Sequence, residues 1–260
     1  MYDPVFIGID ENRQPVYTTF VYRNLLAGGE PGGGKSGLLN TVCAHAAMAH
    51  DSRLVLFDAK QVELGLWRDC ADKFVGPDIT DAIATLRRLQ VVMDNRYAWL
   101  MARGRRKITP ADGMRILVAI FDEIAYYSTV AGTKQEQEEF ATLLRDLVAR
   151  GRACGIPVVA ATQRPSWDII PASLRDLFSY RAAFRCTTPN SSNIVLGNGW
   201  AELGHSAHTI APENQGEALL LAEGGFPRRI KAAYLTDSDI HAIADYAAWT
   251  RRTSGLLVQD

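Results

Sequence analysis

Short apolar runs recur along the chain and alternate with longer stretches that have helical periodicity. The apolar runs lie at 4–9, 53–58, 115–122, 156–162, 180–186, 217–223 and 228–235. Because they are continuous rather than alternating with polar residues, they predict strands that are covered on both faces. Candidate helices occupy 35–49, 81–101, 134–152 and 237–251. Strands that alternate with helices predict an α/β fold with a mostly parallel central sheet flanked by helices.

The chain is long enough for one large hydrophobic core, with 260 residues of which 47% are hydrophobic. No internal repeat or Gly/Ser-rich linker divides it, so we expect a single domain over residues 1–260. Two stretches have the composition of loops, 108–114 and 189–215. No apolar run approaches the roughly 18 residues of a membrane span, and the N-terminus lacks the features of a signal peptide. These patterns predict a cytoplasmic protein.

Charge and cysteine content narrow the function classes. The formal net charge is −1, which argues against a protein that coats nucleic acid by bulk positive charge. A local basic cluster lies at 103–107, where a solvated helix end is the alternative interpretation. The four cysteines are widely spaced and form no metal-ligand pattern with the five histidines. We therefore expect reduced core cysteines and no metal ion except one that a nucleotide carries.

The segment at 29–36, with the sequence GEPGGGKS, has the spacing of a phosphate-binding loop and leads directly into a candidate helix. Its glycines allow backbone N–H groups to surround phosphates, and the helix N-terminus adds a positive end. We expect Lys35 to reach the β- and γ-phosphate oxygens and Ser36 to bind Mg²⁺. The predicted nucleotide-binding residues of this segment are Gly29, Gly32, Gly33, Gly34, Lys35, Ser36 and Gly37.

Acidic and polar residues end two other predicted strands. The run at 115–122 ends in Asp122, and Glu123 follows at once. Since α/β sheets bind ligands at the carboxyl ends of their strands, we expect Asp122 to hold the magnesium ion. Glu123 is placed to polarise an attacking water, which favours hydrolysis over phosphate transfer to a metabolite. Gln163 follows the run at 156–162, where its side chain is a candidate to sense the γ-phosphate or orient water.

Two further segments have alternative interpretations. Asp58, Lys60 and Glu63 lie just past another strand end, where a loop salt bridge is the ordinary explanation. Arg150 and Arg152 precede the fourth predicted strand. An arginine at such an edge either completes the site of a neighbouring subunit or is a surface residue.

Five segments carry, in order, a resemblance to a known family: GEPGGGKS, LVLFDAKQVEL, VVMDNRYAWL, ILVAIFDE and RGRACGIPVVAATQRP. Together they resemble the motor domain of the FtsK/SpoIIIE family of DNA translocases, over roughly 4–235. The A-T-Q-R-P motif is far more specific than either nucleotide motif. The resemblance implies a RecA-like P-loop NTPase fold and an ATPase that moves along double-stranded DNA.

By this resemblance, ATP and Mg²⁺ are the cofactors, and Lys35, Ser36 and Asp122 bind them. The resemblance also implies that Glu123 is a catalytic acid and that Gln163 is the sensor. In this family, ATP hydrolysis drives the movement of DNA. The implied setting is conjugative transfer of a plasmid or integrative element, or chromosome segregation.

The resemblance further implies a ring. Arg152 matches the arginine that family members present to the ATP of the adjacent subunit, and Arg150 is the reserve candidate. The family works as a hexamer around double-stranded DNA, so a homo-hexamer is expected, with a monomer in the absence of DNA as the alternative. Contacts from pore loops must be sequence-blind, because base readout would stall movement. The candidate DNA contacts are Arg103, Arg105, Arg106, Arg164 and Arg175.

The sequence departs from the chromosomal members of the family in three ways. Glu30 and Pro31 stand in the phosphate loop where those members have small residues, a variant that looks more like short plasmid-transfer proteins of actinomycetes. Only about 25 residues follow the last predicted strand, too few for the winged-helix module. No membrane-spanning N-terminal part is present. We expect either an excised motor or a short transfer protein that finds a membrane or pore through partners.

Three functions other than a DNA motor are alternatives for this sequence. A type VII secretion ATPase resembles the same motors but moves or gates protein, and such proteins usually carry several motor domains in tandem. A GTPase switch would need the N-K-x-D motif, which is missing, and a small-molecule kinase would not usually set Glu123 beside Asp122. A degenerate ring subunit is disfavoured because Lys35, Asp122 and Glu123 are all intact.

Overall fold

The structure is a computed structural model that describes residues 1–257. Within these residues, ten strands form one sheet and six α-helices pack against it. The strands are β1 (Val5–Asp10), β2 (Pro15–Thr18), β3 (Leu25–Gly28), β4 (Ser52–Phe57), β5 (Lys73–Val75), β6 (Ile116–Phe121), β7 (Val158–Thr162), β8 (Tyr180–Phe184), β9 (Glu217–Leu221) and β10 (Arg228–Ala232). The helices are α1 (Lys35–Met48), α2 (Ile79–Met101), α3 (Lys134–Arg150), α4 (Ala172–Arg175), α5 (Pro189–Leu196) and α6 (Asp237–Thr253). Shorter helical turns lie at Gly65–Cys70, Pro110–Asp112, Tyr126–Val130, Gly151–Cys154 and Ala207–Thr209.

The sheet has a parallel part and an antiparallel part. Its strand order is β2-β1-β10-β9-β8-β3-β7-β6-β4-β5. The six strands from β8 to β5 run parallel to one another. The four strands from β2 to β9 pair antiparallel, and β9 joins them to β8. The predicted α/β fold with a mostly parallel sheet is therefore confirmed, and the antiparallel extension is a feature that the sequence pattern did not reveal.

Helices cover both faces of the parallel part, which explains the continuous apolar runs. In β6 the side chains alternate between the two cores: Ile116, Val118 and Ile120 pack on one face, whereas Leu117, Ala119 and Phe121 pack on the other. Helices α1 and α6 contribute to the first core, and α2 and α3 to the second. Burial of each large aliphatic or aromatic side chain contributes about 1.5–3 kcal/mol.

The helix N-termini differ in how their free N–H groups are satisfied. Side-chain oxygens of Asp78, Thr133 and Thr236 cap α2, α3 and α6 respectively. Helix α1 begins after Gly34, which provides no side-chain cap. Because the first N–H groups of a helix lack partners within it, α1 leaves donors and the positive end of its dipole available to an anion.

The ends of the parallel strands define two edges of the sheet. The carboxyl edge is where β3, β6 and β7 end, and the amino edge is where they begin. The predicted helices at 35–49, 81–101, 134–152 and 237–251 correspond to α1, α2, α3 and α6. All four cysteines are free and buried, as expected. In the described part of the chain, no helix is long and apolar enough to cross a membrane.

Candidate nucleotide site

The phosphate loop connects β3 to α1 at the carboxyl edge. Gly29, Gly32 and Gly34 have φ values of 152°, 74° and 103°, a region that L-residues with side chains rarely adopt. A Cβ atom on Gly34 would lie 2.4 Å from the Cα atom of Gly216. The Gly216 N–H donates a hydrogen bond of 2.9 Å to the carbonyl of Gly33. The glycines are therefore required both by backbone conformation and by the close approach of a second segment.

Lys35 lies within this loop as its predicted role requires. Its side chain is only 5% exposed, and its Nζ donates hydrogen bonds of 2.7 Å to the carbonyls of Gly29 and Glu30. Burial lowers the pKa of Lys35 to about 8, although the nearby carboxylates of Glu123 and Asp122 favour its charged form. A phosphate that reached Nζ would replace carbonyl oxygens by anionic oxygens, which are stronger acceptors.

The unusual residue Glu30 has a specific partner. Its carboxylate forms an ion pair of 2.8 Å with the guanidinium of Arg185, and the Glu30 N–H donates to the Arg185 carbonyl at 2.8 Å. Arg185 directly follows β8, the strand beside β3. The departure from the chromosomal pattern thus attaches the phosphate loop to the end of a neighbouring strand.

Asp122 provides the position expected of a magnesium ligand. It follows β6 at the carboxyl edge and is only 4% exposed, and its Oδ2 atom has no hydrogen-bond partner among the described residues. Burial raises the pKa of Asp122 to about 7, and the carboxylates of Asp58 and Glu63 add to the increase. Ser36 lines the same cavity. A buried carboxylate oxygen without a partner fits a divalent cation, because oxygen ligands suit Mg²⁺.

Glu123 is held by backbone groups. Its Oε2 atom accepts a hydrogen bond of 2.7 Å from the Gln163 N–H, and its Oε1 atom accepts one of 3.0 Å from the Ala125 N–H. The end of β7 therefore fixes the carboxylate that follows β6. The Gln163 side chain lines the cavity beside Asp122. The structure thus brings Lys35, Asp122, Glu123 and Gln163 together at one edge.

The loop after β4 is organised by Asp58 rather than by a salt bridge. Asp58 is fully buried, and its carboxylate accepts hydrogen bonds from the N–H groups of Lys60, Gln61 and Leu64 at 2.9–3.0 Å. This loop presents Lys60 and Glu63 to the cavity. Hydrogen bonds from backbone N–H groups to Asp58, rather than an ion pair, therefore hold this loop in place. Lys60 and Glu63 join the residues that line the cavity.

Sequence reasoning missed one wall of the cavity. The cavity has a volume of about 630 Å³, within the usual range for small-molecule sites. Its missed wall comes from the start of β9 and the end of β10, and the residues are Gln215, Gly216, Lys231, Ala232, Ala233 and Tyr234. No local motif marks these residues, because their position depends on antiparallel pairing across the sheet.

The two candidate trans arginines lie at the opposite, amino edge, between α3 and β7. Arg150 forms ion pairs with Asp94 at 2.8 Å and with Asp146 at 2.9 Å. Arg152 donates a hydrogen bond of 3.2 Å to the Ser179 hydroxyl and has no ion pair among the described residues. Arg150 is therefore engaged by its own chain, whereas Arg152 has no carboxylate partner within residues 1–257.

Arg152 lines a second cavity, which has a volume of about 440 Å³ and lies at the amino edge. The cavity is mostly basic. Its charged lining residues are Arg23, Arg106, Lys107, Arg150, Arg152 and Glu223. Neither Arg152 nor this cavity belongs to the nucleotide pocket of the same chain.

The predicted DNA contacts are divided between the two edges. Arg103 and Arg106 are exposed at the amino edge, and Arg103 stacks on Trp99 at 4.1 Å. Arg105 is half-buried and forms an ion pair with Asp112. These three arginines were predicted as one cluster, but they differ in exposure and in ion pairing. Arg103 and Arg106 are exposed, whereas Arg105 is half-buried and paired with Asp112.

The other two candidates differ more strongly. Arg164 is exposed and directly follows Gln163 at the carboxyl edge. Arg175 is only 6% exposed and forms an ion pair of 2.8 Å with Asp176. We correct the expectation for Arg175, because a buried and paired guanidinium is not available to a phosphate backbone.

Known proteins with similar sequences include members of the family that the motifs resemble. The chain is 26% identical to the DNA translocase FtsK of Pseudomonas aeruginosa, covering 99% of this chain and 34% of that protein. It is 30% identical to the DNA translocase FtsK of Treponema pallidum, covering 95% of this chain and 32% of that protein. The chain thus spans about a third of the length of these relatives.

Solved structures show the same fold. The pCW3 conjugation coupling protein TcpA, in its monomer form with ATPγS, has a TM-score of 0.80 at 20% identity, covering 96% of this chain and 71% of TcpA. The cytoplasmic domain of the type VII secretion ATPase EccC of Thermomonospora curvata has a TM-score of 0.74 at 21% identity, covering 94% of this chain and 30% of EccC.

The FtsK/SpoIIIE family model matches residues 4–210, most of the chain. The predicted family and the ATPase class are thereby confirmed. The chain belongs to the FtsK/SpoIIIE family.

Proposed function

We propose that the chain is an ATP-driven motor that moves double-stranded DNA. The observation that carries the proposal is the convergence of Lys35, the unpartnered carboxylate oxygen of Asp122 and the backbone-held Glu123 at one edge of the sheet. Membership of the FtsK/SpoIIIE family supports the coupling to DNA, because its relatives in Pseudomonas aeruginosa and Treponema pallidum are named DNA translocases.

Each residue of the pocket has a distinct task. The loop N–H groups and Lys35 bind the phosphates, and Ser36 and Asp122 would hold a magnesium ion. Such an ion would supply positive charge to the phosphate oxygens. Glu123 orients the attacking water and accepts its proton, and Gln163 contacts the γ-phosphate.

A complete site requires a second copy of the chain. Arg152 lies at the opposite edge from its own pocket, has no ion pair in the part of the chain that the structure describes, and lines a basic cavity. We infer that Arg152 meets the γ-phosphate held by the adjacent subunit, where an arginine stabilises the charge of the transition state. Arg150 is the weaker candidate, because Asp94 and Asp146 already hold it. A homo-hexameric ring repeats this contact at every interface.

Exposed cations are the candidates for DNA contact. Arg103, Arg106 and Arg164 have accessible guanidinium groups suited to phosphate, whereas Arg105 is paired. The likeness of the fold to the conjugation coupling protein TcpA supports a role in conjugative plasmid or integrative-element transfer, with chromosome segregation as the alternative. In either role, we propose a partner at a membrane or transfer pore.

A second function, a type VII secretion-like ATPase that moves protein, is supported by one observation. The fold of EccC matches over 94% of this chain. The two functions differ in what stimulates turnover, since a DNA motor responds to a duplex and a secretion ATPase to a protein signal.

The deciding experiment measures steady-state ATP turnover alone, with linear double-stranded DNA and with single-stranded DNA. The Lys35→Ala variant serves as the blank. We expect roughly tenfold or greater stimulation by the duplex, since DNA that binds the active assembly shifts the population toward it. Basal turnover that responds to neither DNA would contradict the DNA motor and favour the secretion function.

A further inference from the structure

The nucleotide pocket has two chemically different ends. Asp122, Gln163, Lys60 and Glu63 follow β6, β7 and β4, which lie on one side of β3 in the sheet, and on the proposed function this end takes the terminal phosphate and its water. Segments before β9 and after β10 line the other end, together with the first turn of α1. With the phosphates fixed at the start of α1, the remainder of a nucleotide must extend along this second wall, which carries none of the acids at the first end.

Tyr234 stands out on this second wall. It follows β10 at the carboxyl edge and is 77% exposed, so its own chain covers little of the ring. It lies next to the first turn of α1, because a Cβ atom on Gly37 would come within 2.9 Å of the carbonyl oxygen of Ala233. It is also the one aromatic residue that lines the cavity within the described residues.

Other exposed aromatic rings have partners that explain them. The aromatic pairs are Phe6 with Tyr17, Trp200 with Phe226, and Tyr246 with Trp249, and the guanidinium of Arg175 lies 5.8 Å from the ring of Trp167. No aromatic ring of the described residues packs on Tyr234. A large ring that is exposed, unpaired and at the mouth of a cavity is costly in water and suited to a flat apolar partner.

We propose that Tyr234 is the platform on which the base of the bound nucleotide stacks. This rests on the proposed function only in that the same pocket holds the phosphates. Stacking needs a π-face and no particular donor or acceptor, so Tyr234 contributes affinity for a nucleoside rather than strict choice of adenine. The contribution comes from the aromatic ring, because stacking uses the π-face and does not need the hydroxyl.

Calorimetric titration in the presence of Mg²⁺ tests this directly, with ADP and inorganic tripolyphosphate as the two probes. We expect Tyr234→Ala to weaken ADP binding by about 5- to 100-fold and to leave tripolyphosphate binding unchanged. Tyr234→Phe should bind ADP within about twofold of wild type, since the stacking face is kept. Tyr246→Ala is the matched control, because Tyr246 is also exposed, at 53%, and lies on α6 outside the cavity.

Two results would overturn the assignment. Wild-type affinity of Tyr234→Ala for ADP would show that the ring does not contact the base, and an equal loss for tripolyphosphate would show that the residue only supports the phosphate site. The test is separate from that of the motor function. Duplex-stimulated turnover with no dependence of ADP affinity on Tyr234 rejects the platform alone, whereas Tyr234-dependent ADP binding without DNA stimulation rejects the motor alone.

Discussion

The carboxyl edge and the amino edge of the sheet each hold a cavity, and the charges lining the two differ in kind. At the carboxyl edge, a volume of about 630 Å³ has a lining of mixed charge, with the carboxylates of Asp122 and Glu63 and the ammonium groups of Lys35, Lys60 and Lys231. At the amino edge, a volume of about 440 Å³ is lined by five cations and the single carboxylate of Glu223. On the proposed function, the first edge holds a metal ion and phosphates, and the second meets the phosphates of a neighbouring subunit.

On the proposed function, each chain carries the two parts of a catalytic site at opposite edges of its sheet. The five residues of β7 separate Arg152 from Gln163, and a strand of that length spans about 16 Å. No rotamer of an arginine closes this gap within one subunit. In the proposed ring these two parts meet, because the amino edge of one copy faces the carboxyl edge of the next in a head-to-tail arrangement.

Of the substitutions that test the difference between the two edges, Lys35→Ala is expected to have the largest effect on ATP turnover. Lys35→Ala deletes the cation that the loop places within reach of the phosphates, so ATP turnover should fall below detection with or without DNA. Lys73→Ala is the control, because Lys73 lies in β5 outside the cavity and pairs with Asp81. Turnover within tenfold of wild type in Lys35→Ala would contradict the assignment of the phosphate site.

Arg152→Ala should be next, with DNA-stimulated turnover reduced about 10³-fold and ADP affinity unchanged. The reason is that Arg152 acts on the transition state of the neighbouring subunit rather than on its own nucleotide. Arg150→Ala should retain turnover, with a modest loss of stability from its two ion pairs.

A mixing experiment sharpens this prediction. Subunits with Arg152→Ala retain an intact pocket, and subunits with Lys35→Ala retain an intact Arg152. Mixed rings should therefore regain turnover that neither variant has alone. Inactive mixtures whose subunits demonstrably co-assemble would place Arg152 outside the neighbouring site.

Asp122→Asn should separate activity from stability. The pKa of Asp122 is raised to about 7, so the folded state binds its proton more tightly than the unfolded chain does. Stability therefore falls as pH rises from about 4 to 7, and above pH 7 the folded state keeps a buried, unpartnered charge. In metal-free buffer at pH 8, Asp122→Asn should be more stable by about 1–3 kcal/mol.

The same variant should show little of this gain at pH 5, where the wild-type carboxyl is protonated, and it should have lost ATP turnover. Denaturant unfolding at the two pH values measures the difference. Equal stability of wild type and variant at pH 8 would show that the carboxylate is not destabilising in the metal-free protein.

The smallest expected effect concerns DNA. Arg164→Ala should lower the slope of log affinity against log salt by about 0.9, the value for one phosphate contact to duplex DNA. The matched control is Arg87→Ala, because Arg87 is exposed on α2 and pairs with Glu139. The same measurement on Arg103→Ala reports whether the amino edge also contacts DNA. An unchanged slope in Arg164→Ala would remove the carboxyl edge from the DNA path.

The sequence was most informative where strands are long and covered on both faces. The run that became β6 is apolar throughout, because alternate residues pack into two different cores. Strand β3 was missed although it lies between β7 and β8, because only its four residues Leu25–Gly28 mark it. Helix α5 was read as loop because Asn and Ser dominate its first turns, yet Thr188 caps it and Pro189 begins it.

The residues of the candidate site also divide into those that the sequence could predict and those that it could not. The loop around Lys35 and the acids at 122 and 123 were predictable because their spacing along the chain is local. Tyr234 and Gly216 were not, because the pairing of β9 and β10 with the rest of the sheet brings them to the pocket. The burial of Arg175 was equally hidden, since composition does not distinguish an arginine on the surface from one held by a neighbouring aspartate.

The hydrogen bond between the Gln163 N–H and the Glu123 carboxylate has a consequence for mutagenesis. The donor is a peptide group, and every substitution at position 163 except proline retains it. An alanine scan of this segment therefore reports only on the glutamine amide and leaves the orientation of the acid intact. Replacing the peptide by an ester at this position, through chemical synthesis or suppression, is the change that would reveal how much the backbone contributes to the rate.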